Sequence, residues 1–158
     1  MVHSDEFKAA VGKFPTGIAI ITCNDLNTLY GFTANSFTSV SLSPPLISFC
    51  LNHSARSIKA FKNSDYFAIS ILANDQSEIS QYFATPKKKD RFQNTSYQLG
   101  EASNSALIIG ATCWIECSKY QQIDCGDHTI FIGKVEKTKI NNDKPPLLYY
   151  SKKYWDVT

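Results

Sequence analysis

Apolar residues recur at helical spacing near the start of the chain and give way to short β-branched runs soon afterwards. Phe7, Ala10, Val11 and Phe14 keep a period near 3.6, which predicts a helix over residues 4–14. Ser4 or Asp5 can cap it, Asp5 and Glu6 suit its positive end, and Pro15 stops it. Residues 17–23, GIAIITC, then read as a strand; the turn residues 24–27 send the chain back through Leu29 to Ser36 as a hairpin partner. Pro44-Pro45 interrupts the pattern before a strand over residues 46–51. A short helix over 54–61, with Ser54 at its cap, precedes a strand over 66–72. Asp75 and Glu78 form a capping-box-like start to a helix carrying Ile79, Tyr82 and Phe83, which Pro86 ends. Residues 93–105 are polar and irregular, 107–120 and 129–139 predict two long strands joined at Cys125-Gly126-Asp127, and 147–155 is rich in aromatics. Five or six strands with hairpin-like neighbours predict a mainly β fold, an antiparallel barrel with a few short flanking helices. Helices of a dozen residues between strands, which a doubly wound parallel sheet requires, are missing.

Composition narrows the function classes. Residues 1–158 are expected to form one domain, and 43% hydrophobic with 13% aromatic residues suits a folded chain. A net charge of +2 gives no footprint for nucleic acid or an anionic membrane. No apolar run approaches 18 residues, and the acidic start MVHSDEFKAA is unlike a signal peptide, so the expected address is cytoplasmic. Of five cysteines, Cys23 and Cys50 lie in apolar runs and read as buried, reduced thiols, which argues against a disulfide framework.

Three features carry candidate chemistry. The first is Tyr30 to Leu46, YGFTANSFTSVSLSPPL, where Ser and Thr interleave with Phe32, Phe37, Val40 and Leu42. Short side chains at Thr33, Ala34, Asn35 and Ser36 would let a flat, heteroatom-rich ring lie close to the main chain. An edge strand with nothing bound fits the same residues. The second is His128 in GDHTIFIG, at a strand mouth after a tight turn, able to orient a phosphate or move a proton near neutral pH. A structural histidine beside Asp127 is the competing reading. The third is Lys87 to Arg91 with Ser54, Arg56 and Ser57, either a solvated face or a phosphate clamp. No metal is expected: Cys113 and Cys117 sit four apart on a strand, about 13 Å, too far to converge on zinc. P-loop, Rossmann and nucleophile-elbow motifs are absent from the sequence.

Taken in order, FPTGIAIIT, GFTANSFTSVSLSPPLISFCL, NHSARS, KKDRF, GDHTIFIGKV and LLYYSKKY resemble the short-chain flavin reductase family. These are FMN-binding split-barrel proteins, typified by the reductase components of two-component flavin-dependent monooxygenases. The resemblance runs from about Phe7 to Tyr154. It implies an NAD(P)H-dependent flavin reductase using NADH or NADPH with FMN or FAD. It also implies a homodimer and a partner flavin-dependent monooxygenase. Thr33, Ala34, Asn35, Ser36 and Ser39 would line the flavin ring. Asn52, Ser54, Arg56 and Ser57, with Lys89, Arg91 and Phe92, would take its ribityl and phosphate end. His128 would be the catalytic candidate on the nicotinamide side, with Phe14, Pro15, Thr16 and Tyr154 near the same pocket. The lysines before Asp90 depart from the family pattern. Two rivals stay open: an FMN-binding electron-transfer module with no nicotinamide site of its own, and a non-enzymatic flavin or haem-related binding protein.

Overall fold

A computed structural model describes residues 2–85 and 91–157. The helices are α1 (Ser4–Val11), α2 (Ile58–Asn63) and α3 (Ser77–Ala84), the last led in by a 3-10 turn at Asn74–Gln76. The strands are β1 (Thr16–Gly17), β2 (Ala19–Asp25), β3 (Thr28–Ala34), β4 (Thr38–Leu42), β5 (Pro45–Asn52) and β6 (Tyr66–Ile71). They continue with β7 (Tyr97–Leu99), β8 (Ala106–Ile108), β9 (Cys113–Cys125), β10 (His128–Ile140), β11 (Leu148–Tyr150) and β12 (Lys153–Trp155). Seven strands form one antiparallel sheet in the order β3-β2-β6-β9-β10-β5-β4; β1-β11-β12 and β7-β8 form two small sheets.

The large sheet rolls up on itself. Phe32 of edge strand β3 meets Phe49 of β5, five places away in the order, with ring centroids 5.9 Å apart. Flat, at about 4.8 Å per strand, those positions would lie some 24 Å apart. Among the described residues no β3–β4 ladder closes the roll, so packing closes it, and the result is the expected mainly β, antiparallel split barrel. Inside, Phe49 stacks on Phe131 at 5.1 Å and meets Phe61 and Phe67 edge-on. All four rings are at most 2% exposed, and each contributes about 1.5–3 kcal/mol of burial. Gly133 makes this interior possible: a Cβ there would run into the Phe67 ring.

The apolar continuity of GIAIITC follows from its place between two cores. Ala19, Ile21 and Cys23 of β2 face the barrel interior, while Ile18 and Ile20 pack beneath α3 with Leu72, Phe83, Ile108 and Leu147.

Several expectations need correcting. Helix α1 stops at Val11, short of Pro15, and buries none of its residues; Phe7 and Val11 are exposed. The strand expected over 17–23 is broken at Ile18 into β1 and β2. The helix expected over 54–61 begins at Ile58, because Asn52 holds Ser54 in a preceding turn. The single strand expected over 107–120 is cut at Gly110, whose φ of +86° turns the chain between β8 and β9. The irregular 93–105 contains β7, and the aromatic 147–155 is the hairpin β11–β12. Among the described residues twelve strands replace five or six. Cys50 is half-buried, since it alternates with the inward Phe49 and Leu51 and faces outward. Cys23 and Cys117 are buried, and burial pushes both thiols up to about 12. Among the described residues no helix is long and apolar enough to cross a membrane, and no His, Cys, Asp or Glu cluster could hold a metal.

Candidate functional site

A cavity of about 880 Å³ opens between the end of α1, the segment from Phe14 to Ala19, the turn from Asn35 to Thr38 and the hairpin β11–β12. Its wall is built by pairing. Thr16 of β1 sits opposite Tyr149 of β11, and the Ser151 amide donates to the Gly12 carbonyl at 3.2 Å, tying the hairpin turn to α1. That turn holds two non-glycine residues at positive φ, Ser151 at 49° and Lys152 at 63°, as a primed two-residue hairpin requires. On the opposite wall, the Ser36 hydroxyl accepts from the Cys50 amide at 3.0 Å and donates to the Cys50 carbonyl, which fastens the Asn35–Ser36 turn to β5.

The cavity is largely apolar, with Phe14, Phe37, Tyr149 and Tyr150 around it. Phe14 is 74% exposed. The Thr16 hydroxyl is buried and has no hydrogen-bond partner among the described residues. A buried hydroxyl without a partner costs about 1–3 kcal/mol, so this oxygen fits a wall completed by a ligand heteroatom. The volume lies in the range of small-molecule sites.

A second cluster lies at the far end of β5, on its outward side. Ser36 is fastened to Cys50, and Asn52 follows two residues on, about 7 Å along the strand. Asn52 stands opposite His128 of β10. The His128 Nδ1 lies 2.7 Å from Asp127 Oδ1, Asn52 Nδ2 donates to Asp127 Oδ2 at 3.3 Å, and the Ser54 amide and hydroxyl both donate to Asn52 Oδ1 at 2.7 Å. The imidazole holds the Asp127 carboxyl below its ordinary range. Beneath this row, the buried Thr129 hydroxyl donates to Asp124 at 2.5 Å and meets His53 Nε2 at 3.1 Å, while Lys62 pairs with Asp124 at 2.9 Å. The Thr129 hydroxyl and the Lys62 ammonium bring the Asp124 carboxyl down to about 2.

A third group is cationic. Arg91 donates to the carbonyls of Gly31 at 2.6 Å and Thr85 at 3.0 Å, and its buried Nε has no partner among the described residues. Burial, and secondly the nearby positive charge of Arg56, lower its pKa.

The residues singled out by sequence divide among these places. Phe14, Pro15, Thr16, Asn35 and Ser36 line the cavity. Thr33 turns its hydroxyl to the Ser80 carbonyl at 2.6 Å, Ala34 is buried in the core, and Ser39 is exposed on β4. Tyr154 does not line the cavity: its hydroxyl meets Ser80 at 2.9 Å and its ring packs on Tyr149. His128 also lies outside the cavity wall, in the Asn52–Asp127 row. Ser57 is buried before α2, and Phe92 packs between Phe83 and Tyr97. Lys89 falls outside the described residues. Sequence reasoning missed Tyr149, Tyr150 and Lys152 in the cavity and Asp124 and Thr129 in the cluster, and gave Asp127 only as a structural neighbour of His128. The adjacent tyrosines of LLYYSKKY were the available signal, amphipathic rings suited to the border of a site.

A family model described as the flavin reductase like domain matches residues 11–158. The chain belongs to that family. The reductase component of a flavin-dependent trigonelline monooxygenase from Acinetobacter baylyi is 43% identical over 132 residues, 83% of this chain and 42% of that protein. A probable flavin reductase of Rhizobium meliloti is 41% identical over 80% of this chain and 40% of its own length. The chain therefore spans about two fifths of the length of these two curated relatives. Among solved structures, an NADH:FAD oxidoreductase of Streptomyces globisporus superposes with a TM-score of 0.93 at 32% identity, covering all of this chain and 96% of that one. The same oxidoreductase has been solved in complex with NAD and FAD fragments.

Proposed function

We propose that this protein is an NAD(P)H-dependent flavin reductase, acting on FMN or FAD and supplying reduced flavin to a partner flavin-dependent monooxygenase. The observation that carries the reading is the cavity of about 880 Å³ whose buried Thr16 hydroxyl lacks a partner among the described residues. Flat rings suit its aromatic border, and the short residues Asn35 and Ser36 leave the backbone approachable. The relatives' names support the same chemistry. A flavin bound there would supply a ring that accepts hydride from a nicotinamide stacked on it, where positioning does most of the work.

The chain's own residues divide the labour. Asn35 and Ser36 border the ring, and Thr33, Ala34 and Ser39 belong to the strands that carry them. Asn52, Ser54, Arg56 and Ser57, with Lys89, Arg91 and Phe92, hold the ribityl and phosphate end. Phe14, Pro15 and Thr16 shape the nicotinamide side, Tyr154 backs it through Tyr149, and His128 orients the nicotinamide nucleotide. One unit over residues 1–158, a homodimer that completes the open cavity and a cytoplasmic address complete the proposal; five free cysteines suit a reducing compartment.

An anaerobic stopped-flow trace with FMN and NADH, followed near 450 nm, tests the reading. Bleaching faster than a protein-free control is the expected result. Bound flavin that stays oxidised with both NADH and NADPH would instead assign an electron-transfer module fed by another donor. Arg56→Ala should weaken FMN binding more than riboflavin binding; equal losses would remove Arg56 from the phosphate end.

A further inference from the structure

Asp127 stands between the two ends of the proposed site and touches both. Its Oδ1 meets His128 Nδ1 at 2.7 Å, its Oδ2 accepts from Asn52 Nδ2 at 3.3 Å, and its main-chain carbonyl accepts from the His53 amide at 2.9 Å. Asn52 in turn uses its Oδ1 to hold the Ser54 amide and hydroxyl. One carboxylate thus joins the histidine of β10 to the turn that follows β5. The turn itself needs no such side chain, because Gly126 at a φ of 60° already reverses the backbone.

We infer that Asp127 is the positioning residue that couples His128 to the Asn52–Ser54 turn, so that the nicotinamide and flavin-tail contacts share one anchor. The inference rests on the flavin reductase reading and deepens it. The chemistry fixes the direction of each bond. An ionised carboxylate only accepts, so His128 must carry its proton on Nδ1 and present Nε2 outward. Asn52 must likewise point its amide nitrogen at Asp127, which aims its oxygen at Ser54. Removing the carboxylate therefore frees the imidazole to rotate or change tautomer and, in the same stroke, leaves Asn52 Nδ2 without its acceptor, so that only the two Ser54 bonds hold that side chain. His128 and the Asn52–Ser54 turn belong to different proposed ligand contacts, yet both lose a restraint together.

The test compares four variants of the full chain by FMN Kd, NADH KM, kcat and melting temperature. Asp127→Ala should raise FMN Kd and NADH KM together, each about fivefold to tenfold, with kcat at saturating ligands within about twofold. His128→Ala should raise only the NADH KM, and Asn52→Ala only the FMN Kd. The exchanged pair N52D/D127N should bring both constants back to within about twofold of the parent. In it, the carboxylate at position 52 accepts from Ser54 and from the amide nitrogen at position 127, whose amide oxygen accepts from His128. Should Asp127→Ala not fold, Asp127→Asn decides: its single oxygen serves one donor at a time and alternates between His128 and Asn52, so both constants should rise by a smaller factor. A change in NADH KM alone on losing the carboxylate, or no recovery in the exchanged pair, overturns the coupling while leaving the flavin reductase reading intact. If His128→Ala and Asn52→Ala move neither constant, the site assignment falls first and the coupling falls with it.

Discussion

The cavity, largely apolar, and the polar cluster at the end of β5 differ in where their polar atoms find partners. In the cluster, Ser54, Asn52, Asp127 and His128 are joined through His53 to Thr129, Asp124 and Lys62 by hydrogen bonds of 2.5–3.3 Å. In the cavity, the Thr16 hydroxyl is buried without a partner among the described residues, and Phe14 is 74% exposed. The first region is organised by its own hydrogen bonds, whereas the second keeps a buried hydroxyl without a partner among the described residues. Buried polar groups in a finished structure are satisfied, so an orphaned one marks where the structure expects company. That distinction separates polar atoms already held by protein partners from one left open at the cavity wall, even where both kinds sit on neighbouring strands.

Breaking the contrast from the cluster side should give the largest effect on stability. Thr129 is fully buried and its hydroxyl bridges Asp124 and His53, so Thr129→Val should cost about 1–3 kcal/mol in chemical denaturation. Unchanged stability would erase the difference between the regions. From the cavity side, Thr16→Val should leave melting unchanged or slightly raised, because it removes a partnerless hydroxyl. Ligand affinity should fall about fivefold to tenfold in the same variant. A variant that melts earlier but binds normally would assign Thr16 to the fold.

Acid sharpens the comparison further. Asp124 is depressed from 3.8 to about 2 in the folded chain, so its stabilising contribution is complete above pH 3.8. It is lost as pH falls from there through about 2. The parent should therefore lose melting temperature more steeply than Asp124→Asn between about pH 4 and about pH 2; parallel curves would disconnect Asp124 from stability. The smallest effect belongs to Lys62→Met, a melting shift of about 1–3 °C, because its ion pair with Asp124 is solvated. A loss beyond about 6 °C would mean that the pair contributes more than its exposure allows.

Much of the fold was legible as pattern. GIAIITC, LISFCL and YFAISI read as strands because they are short apolar runs bounded by turn residues; β2 and β6 are buried almost throughout, while β5 alternates inward and outward. The breaks were harder. Gly110 gave no sign that it would adopt a φ of +86°, since a lone glycine within an apolar run is also tolerated in a continuous strand. Helix α1 kept amphipathic spacing but has no core beneath it, so periodicity alone misjudged what its apolar face meets. In the site, the order of the motifs singled out Thr16, Asn35, Ser36 and Asn52. Asp124 was passed over and Asp127 was given only a structural part beside His128, because an aspartate in or next to a turn is ordinary in sequence. Their partners, at Thr129, Lys62 and Asn52, become neighbours only when β5, α2, β9 and β10 assemble.

The alternation of each strand, the hairpin turns and the residue types available for chemistry were already settled in the linear chain, because they depend on neighbours a few positions apart. Which of those residues meet was settled by assembly. Rolling the sheet brought Phe32 onto Phe49 across five strands, and the β5–β10 register set Asn52 against His128 with Asp127 between them. Pairing β1 with β11 opened the cavity in which Thr16 is left without a partner among the described residues. Such meetings depend on register and curvature, which are properties of the whole sheet and are written in no single stretch of the chain.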